Sequence, residues 1–372
     1  MRALLLAIFM LFSQLIHADE FIGFSAYESG DYSTAYTHLV KAAEQGNAEA
    51  MYLVGRMYHQ GQGVNQDTAK ASEWYQKAAD AGNALAQLSL GHMYDTGEVV
   101  PQSYEKALAL YKQSAKQGNA VAQRNVGLMY MNGDGTKADP NIALQWFLKS
   151  AKQGYSKAQV NVAYMYINGE GVKKNIRKAQ YWYQQAALQG DPKAEYSLGL
   201  IDNGNYGLPP NKARALKWFK RAASRGHVNA QAFLGYYYEM GFGTQANPKS
   251  AAYWYQFAGK KGHPLAQLHL GQLYLSGSGV DKNYEKAAYW LGLSALQGNS
   301  DAQARLGYLY MTGLGVTKSN TKAYVWLTIA SESDNPMAVR QLAKLKKAMS
   351  QAEMKQAKSM VNEYHKRIQA TE

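Results

Sequence analysis

The chain contains 372 residues, of which 47% are hydrophobic and 12% aromatic, and its formal net charge is +13. A chain of this length normally holds about two or three globular domains. It contains no cysteine, which excludes disulfides, thiol catalysis and a lipid-modified cysteine near the N-terminus. The composition therefore predicts a protein that is stabilised by packing alone.

The first 18 residues have the pattern of a secretory signal peptide. Met1 and Arg2 give a positively charged start, residues 3–16 are mostly apolar, and Ala18 supplies a small residue for cleavage. The alternative, a membrane anchor, is disfavoured because the apolar run is too short to span a bilayer comfortably. We therefore expect residues 1–18 to be removed and the mature protein to be exported, to the periplasm or out of the cell.

Residues 19–46 predict an N-terminal capping half-repeat. Ala26, Tyr27 and Gly30 indicate a brief helix and a turn, and a second helix follows with Leu39 on its apolar side. His38 occupies the position that tryptophan takes in later units, and a polar residue there suits a face that closes a stack.

From residue 46 onward the same pattern returns every 36 residues without insertion. One glycine and one alanine column mark this period most clearly. The glycines are Gly46, Gly82, Gly118, Gly154, Gly190, Gly226, Gly262 and Gly298, and the alanines are Ala50, Ala86, Ala122, Ala158, Ala194, Ala230, Ala266, Ala302 and Ala338. A fixed period of this length is typical of stacked repeat proteins. Residues 47–334 therefore predict eight repeats.

Each unit predicts two helices joined by a glycine-rich turn. In the unit that begins at Asn83, Ala86, Leu90 and Met93 share one face of the first helix, and Asn83 is a suitable N-cap. Gly91 lies in the middle of this helix, and a glycine recurs there in all units but one although it costs about 1 kcal/mol. We expect a close approach of two helix backbones at this position.

The turn between the helices contains glycine pairs, for example in residues 169–172, and such pairs also occur in phosphate-binding loops. None of these turns runs directly from glycine into a Lys-Ser or Lys-Thr pair, and each follows a helix rather than a strand. We therefore interpret them as structural turns that need a positive φ twice.

All seven tryptophans lie in one column of the second helix. They are Trp74, Trp146, Trp182, Trp218, Trp254, Trp290 and Trp326. A row of tryptophans could also bind carbohydrate or a cation. Because each one recurs beside paired alanines, we favour a structural role in which the indole fills the gap between repeats.

The unit Ala-Ala-x-x-Gly-Asn-x-x-Ala-Gln-x-x-Leu-Gly-x-Met-Tyr, followed by Ala-x-x-Trp-Tyr-x-x-Ala-Ala, resembles the Sel-one-like repeat (SLR) family of tetratricopeptide-type proteins. The match covers Asn47 to Ser331. The resemblance implies an all-α fold, a right-handed α/α superhelical solenoid of about eight 36-residue helix–turn–helix repeats with terminal capping helices. It also implies a scaffold or adaptor, and bacterial members of the family are often exported.

Two segments depart from the regular unit. Residues 201–210 lack the tyrosine and the first turn glycine, so we expect a local bend or an altered loop there. Residues 335–372 predict C-terminal capping helices, because Ser350 and Glu353 form a capping box before an apolar stripe that could cover the last repeat.

One stripe of the first helix varies between units while the rest stays constant, and we call this stripe the first-helix face. By analogy with the family it would line a concave groove. Asparagine both donates and accepts hydrogen bonds, and tyrosine offers a flat contact surface at low entropic cost. The candidate partner-binding residues are Asn125, Asn132, Lys157, Asn161, Tyr164, Asn168, Phe233, Tyr236, His269, Arg305 and Tyr308. The alternative is that these side chains only bond to neighbouring helices.

The sequence contains no arrangement that indicates catalysis. The eight histidines form no His-x-x-x-His pair, and no Gly-x-Ser-x-Gly elbow is present. We therefore assign no catalytic residue, no metal site and no cofactor.

The sequence thus favours a monomeric, non-enzymatic scaffold that binds a protein or peptide in the cell envelope or at the host interface. A first alternative is binding of anionic lipid or peptidoglycan through the basic stretch between Lys173 and Arg225. A second is a hydrolase acting on peptidoglycan or β-lactams, an activity suggested only by resemblance. Nucleic acid is an improbable partner for an exported chain.

Overall fold

The computed structural model describes residues 20–369, and all regular secondary structure in that range is helical. The chain divides after Gln189 into two compact units, which we call the first and the second unit. The predicted signal peptide, residues 1–18, lies outside the described residues. Within 20–369, no helix has the length and apolar character needed to cross a bilayer.

The first unit contains ten helices in the described range. They are α1 (20–29), α2 (Tyr32–Glu44), α3 (Ala48–Gln60), α4 (Thr68–Asp80), α5 (Ala84–Thr96), α6 (Tyr104–Lys116), α7 (Ala120–Asn132), α8 (Pro140–Lys152), α9 (Ser156–Asn168) and α10 (Ile176–Leu188).

The second unit contains ten helices as well, counted up to residue 369. They are α11 (Pro192–Asn203), α12 (Lys212–Ser224), α13 (Val228–Met240), α14 (Pro248–Lys260), α15 (Pro264–Ser276), α16 (Tyr284–Leu296), α17 (Ser300–Thr312), α18 (Asn320–Glu332), α19 (Pro336–Ala348) and α20 (Gln351–Gln369).

Within each unit the helices form hairpins that stack in chain order. From α3 to α18, each odd-numbered helix is the first helix of a hairpin and packs against the helix that follows it. Successive hairpins of the same unit then pack through contacts such as α4 with α5 and α12 with α13. The all-α repeat fold predicted from the sequence is confirmed in both units.

The hairpins begin and end at the residues that the repeat pattern predicts. Asn83 caps α5, since its side-chain oxygen accepts a hydrogen bond from the Ala86 amide at 2.9 Å. Gly97 ends the same helix with φ 70°, a left-handed conformation that glycine adopts without strain. These two residues hold the first helix at a constant length, so equivalent positions of different repeats share one face.

The glycine in the middle of the first helix makes room for a side chain of the second helix. A Cβ atom added at Gly127 would lie 2.6 Å from the Phe147 ring, and one added at Gly235 would lie 2.6 Å from the Tyr255 ring. The expected close approach of a second-helix backbone is seen in two other repeats, where a Cβ at Gly271 would lie 3.3 Å from Ala287 O and one at Gly307 would lie 3.2 Å from Leu327 N.

The substitution Gly235→Ala should lower stability although alanine favours helices. Overpacking against the Tyr255 ring should cost about 1–3 kcal/mol, more than the gain of about 1 kcal/mol in helix propensity. Gly292→Ala is the matched control, because its Cβ would meet only Leu306, at 4.0 Å. We expect thermal unfolding to show a lower midpoint for the first variant and an equal or higher one for the second.

The tryptophan column lies beside the core rather than at its centre. Trp290 and Trp326 are buried, whereas the other five tryptophans are half-buried. The next position along the helix holds the ring or side chain at the centre of each hairpin, for example Tyr111 and Phe147, which are at most 1% exposed. Trp146 packs instead on the core formed by α6 and α7, so the indole lies between neighbouring hairpins.

The irregular segment in residues 201–210 is an altered loop, as the sequence predicts. Helix α11 has 12 residues where the other first helices have 13, and it ends at Gly204 with φ 96°. Beside this loop Arg214 forms an ion pair with the buried carboxylate of Asp202, and Lys212 donates to the Asn203 carbonyl at 3.1 Å. The polar contacts stabilise a loop that lacks the usual turn.

Helix α20 covers the last hairpin of the second unit. Its capping box forms as predicted, since the Ser350 amide donates to Glu353 at 2.8 Å and the Glu353 amide donates to the Ser350 hydroxyl at 3.2 Å. Ala357 is fully buried, and the Tyr364 ring contacts Trp326 edge-on with a centroid distance of 5.1 Å.

Candidate functional site

The first-helix face differs between the two units in how much of it is free to meet a partner. In the first unit, Lys157 and Tyr164 are exposed, and 51% of the surface of Tyr164 is accessible. The neighbouring asparagines are less available, because each has a hydrogen-bond partner within the protein.

Asn125 and Asn161 are half-buried. The Asn125 side chain bonds to Tyr111, and the Asn161 oxygen accepts from Arg124 Nε at 3.2 Å. Both amides therefore connect neighbouring helices.

Asn132 and Asn168 are exposed at the ends of α7 and α9. Each donates to a carboxylate two residues further on, Asn132 to Asp134 at 3.0 Å and Asn168 to Glu170 at 3.2 Å. These bonds stabilise the turns that follow, so the predicted asparagine rows carry structural roles as well.

In the second unit the first-helix face contains a pocket of about 350 Å³ between α11, α13 and α15. Three sequence-predicted residues, Phe233, Tyr236 and His269, meet in it. We call this site the aromatic pocket. It is lined by Tyr196, Asn229, Ala232, Phe233, Tyr236, Tyr255, His263, Leu265, Ala266 and His269.

The pocket exists because a small residue replaces a large one in a single column. The first helix carries Tyr196 in one repeat and Leu268 two repeats later, but Ala232 between them. The equivalent side chains of the first unit are Tyr52, Leu88, Arg124 and Val160. Because this column was not part of the predicted face, sequence reasoning missed Tyr196; it also missed Tyr255 on α14 and His263, the N-cap of α15. Alanine occurs in this column only at Ala232 and Ala304, so Ala232 was a signal that could have located the pocket.

Aromatic rings form the pocket walls in fixed mutual contacts. Tyr196 and Phe233 meet edge-on with centroids 5.8 Å apart, and His269 stacks on Tyr255 at 5.1 Å. Tyr255 is 1% exposed, so its ring closes the bottom of the site, whereas 37% of Tyr236 is accessible at the rim.

A carboxylate behind the pocket orients two of its rings. Glu239 accepts a hydrogen bond from the Tyr255 hydroxyl at 2.7 Å, and its Oε2 lies 3.1 Å from His269 Nδ1. Burial raises the pKa of Glu239, but the contacts with His269 and Tyr255 outweigh burial and hold it below the usual value. Burial together with this carboxylate raises the pKa of Tyr255 strongly, so its hydroxyl stays a donor.

Histidine replaces asparagine as the N-cap of the two helices that border the pocket. His227 Nδ1 accepts from the Ala230 amide at 3.2 Å, and His263 Nδ1 accepts from the Ala266 amide at 3.3 Å. Burial lowers the pKa of both histidines, which keeps Nδ1 free of a proton. Lys193 lowers and Asp191 raises the pKa of His227, while His269 lowers that of His263.

The double variant His227→Asn/His263→Asn should unfold with less dependence on pH than the wild type. A folded-state pKa below the unfolded value gives stability that is present above about pH 6.5 and is lost as pH falls through the folded-state pKa. Each cap contributes about 1 kcal/mol. Thermal melts at pH 7 and pH 5 should therefore differ less in the variant, because asparagine accepts the same bond without titrating.

The exposed residue His92 supplies the control for that experiment. The variant His92→Asn should show the pH dependence of the wild type. An equal pH dependence in the double variant would contradict the capping role of the two histidines.

The last two predicted residues lie on α17, beyond the pocket. When the Gln272 amide oxygen faces Arg305, the guanidinium donates to it at 3.1 and 3.2 Å. Tyr308 is half-buried. The structure thus unites Phe233, Tyr236 and His269 but places Arg305 and Tyr308 outside the pocket. In residues 20–369, no group of three or more His, Asp or Glu side chains is arranged to hold a metal ion.

Comparison with known proteins identifies one family. The sequence model of the Sel1 repeat matches nine consecutive segments. They are residues 21–47, 48–83, 84–119, 120–155, 156–191, 192–227, 228–263, 264–299 and 300–335. The family model thus includes residues 21–47 as a repeat, whereas the sequence predicts a capping half-repeat in residues 19–46. No curated protein matches the chain.

Two solved structures resemble the chain over most of its length. A Sel1 repeat protein from Oxalobacter formigenes is 32% identical with a TM-score of 0.63, and the alignment covers 83% of this chain and 89% of that one. A protective antigen present in uropathogenic Escherichia coli strains, which displays an SLR fold, is 29% identical with a TM-score of 0.59. Its alignment covers 96% of this chain and 85% of the antigen.

Proposed function

Because the chain belongs to the Sel1 repeat family, we propose that it is a non-enzymatic scaffold that binds a protein partner through its first-helix face. Sel1 repeat proteins generally serve as scaffolds for protein–protein interaction. The observation that carries the proposal is the aromatic pocket. There, variable residues of the first-helix face form a concave site between regularly packed helices. Concave apolar sites with a few polar groups are typical of binding.

The proposed setting is the cell envelope or the interface with a host. The N-terminal pattern of a signal peptide supports export. The similarity to a protective antigen of uropathogenic Escherichia coli supports a surface or host-directed role. Mass spectrometry of the protein from its source organism tests the export step. A mature chain that begins at Asp19 supports it, and an uncleaved N-terminus contradicts it.

Exposed residues of the first unit give the cleanest test of the face. The variant Lys157→Ala/Tyr164→Ala should weaken partner capture about tenfold or more, because central aromatic residues often dominate binding energy. Both side chains are exposed, so the melting temperature should stay unchanged. Asn125 and Asn161 are less suitable targets, since they connect helices within the protein.

The matched control for this variant is Tyr181→Ala. Tyr181 lies on the second helix α10 of the same unit and is 53% exposed. Affinity should be retained in this control. If both variants bind the partner as the wild type does, the first-helix face of this unit is not the binding surface.

Binding to an anionic surface remains the alternative, since the chain has a net charge of +13. Several cations of the basic stretch already have partners, because Arg221 and Arg225 pair with Glu195 and Arg214 pairs with Asp202. Binding to vesicles of anionic lipid or to peptidoglycan that disappears at about 0.5 M salt would favour the alternative. Turnover assays with peptidoglycan and β-lactams test the enzymatic alternative.

A further inference from the structure

We propose that the aromatic pocket binds one large apolar side chain of an acidic peptide segment. This inference rests on the proposed function and specifies the chemistry of the partner. It follows from the walls of the pocket, its size, the polar groups at its rim and the charge of the unit that contains it.

The walls favour an apolar group. The rings of Tyr196, Phe233, Tyr236 and Tyr255 surround the space, and Leu265 adds an aliphatic side chain that is 52% exposed. No Asp, Glu, Lys or Arg lines the pocket. The exposed Leu265 beside the exposed Tyr236 ring leaves apolar surface in water, and an apolar side chain of a partner would cover it.

The size suits one large side chain. A volume of about 350 Å³ lies near the lower end of the range of about 300–1,000 Å³ that is typical of ligand sites. The rim carries the Asn229 amide and the His269 imidazole, whose Nδ1 faces Glu239. Such groups suit the backbone amides on either side of an inserted side chain.

The charge of the second unit favours an acidic segment around that side chain. Residues 190–372 contain 23 Lys and Arg against 12 Asp and Glu, which accounts for +11 of the total of +13. The carboxylate closest to the pocket walls, Glu239, already contacts Tyr255 and His269. The positive field of the unit should therefore attract acidic flanks and repel basic ones.

Aromatic rings also bind organic cations, and that alternative is decided by the same experiment. The probes are four pentapeptide amides that carry fluorescein on the N-terminal amine: Asp-Glu-Phe-Glu-Asp, Asp-Glu-Ala-Glu-Asp, Lys-Arg-Phe-Arg-Lys and Lys-Arg-Ala-Arg-Lys. Fluorescence anisotropy of each with the purified full chain gives the dissociation constants. We expect the acidic Phe peptide to bind about tenfold or more tightly than the acidic Ala and basic Phe peptides.

The variant Ala232→Leu fills the pocket with a side chain that Leu88 and Leu268 carry at the equivalent position of other repeats. It should abolish the difference between the acidic Phe and Ala peptides. Val160→Leu makes a similar change in the same column of the first unit and should preserve that difference. A melting temperature within about 3 °C of wild type shows that each variant is folded, since that interval corresponds to roughly 1 kcal/mol.

The variant Tyr236→Ala tests the pocket without filling it, and Tyr253→Ala, an exposed position on the second helix α14 of the same unit, is its control. Tyr236→Ala should weaken the acidic Phe peptide and leave the acidic Ala peptide unchanged. Equal binding of the acidic Phe and Ala peptides by the wild type overturns the proposal, as does a Phe preference that survives in Ala232→Leu. Tighter binding of the basic Phe peptide assigns the pocket to cations and also overturns it.

Failure of this inference differs from failure of the proposed function. If Lys157→Ala/Tyr164→Ala loses the natural partner and Ala232→Leu retains it, the first-helix face binds protein but the pocket does not receive an anchor. If neither variant changes capture, the proposed function fails as well.

Discussion

Replacing Phe147 with alanine should lower the free energy of unfolding by about 3–5 kcal/mol. Its ring is 1% exposed and packs against the glycine position of α7, where a Cβ at Gly127 would lie 2.6 Å away. Alanine would leave a cavity that the rigid hairpin closes only in part. Urea denaturation followed by circular dichroism measures the loss.

The neighbouring Trp146 is the matched control for that prediction. It is half-buried, and Lys149 Nζ lies 4.2 Å from the centre of its ring. Trp146→Ala should cost about 1–2 kcal/mol, because only part of the indole leaves water on folding. If Trp146→Ala loses more stability than Phe147→Ala, the column of Phe147 is not the centre of the hairpin.

Removing both arginines that face Glu195 should destabilise the second unit by about 3–5 kcal/mol. The Glu195 side chain is fully buried, 2.8 Å from Arg221 Nε and 3.4 Å from Arg225 Nε. In the variant Arg221→Met/Arg225→Gln, the carboxylate would stay buried without a compensating cation. The midpoint of urea unfolding should fall accordingly.

Other repeats indicate how to restore the stability lost in that variant. In another repeat, glutamines occupy the positions of Glu195 and Arg225. These are Gln159 and Gln189, and Gln189 Nε2 donates to Gln159 Oε1 at 3.0 Å. Adding Glu195→Gln to the variant recreates this amide pair and should recover most of the loss. If Arg221→Met/Arg225→Gln is as stable as the wild type, the ion pairs do not compensate the buried carboxylate.

The periodic part of the fold was predictable because residues at equivalent positions pack in the same way in each repeat. The 36-residue spacing predicts the hairpins, and Asn83 and Gly97 cap α5 as the pattern indicates. The indoles fill the gap between repeats as the sequence predicts, but sequence reasoning did not identify the next column, which alternates between Tyr, Phe and Leu, as the centre of each hairpin. The residues of that column have burial in common, and burial cannot be read from the sequence.

The candidate site was predictable only in part, because it depends on an exception to the repeat. The variable face included Phe233, Tyr236 and His269, which line the pocket. It also included Asn125 and Asn161, whose hydrogen bonds to Tyr111 and Arg124 depend on helix packing. The pocket itself depends on Ala232, a small residue in a column that the sequence analysis did not assign to the variable face.

Photo-crosslinking tests the central claim most directly, because it identifies the face that meets the partner. Benzoylphenylalanine is placed at Tyr236 on the first-helix face in one variant and at Tyr253 on the second helix α14 in another. These tyrosines are 37% and 54% exposed, so both probes are accessible. After irradiation in the source organism, our account predicts a protein adduct from position 236 and none from position 253. An adduct from position 253 alone would contradict it.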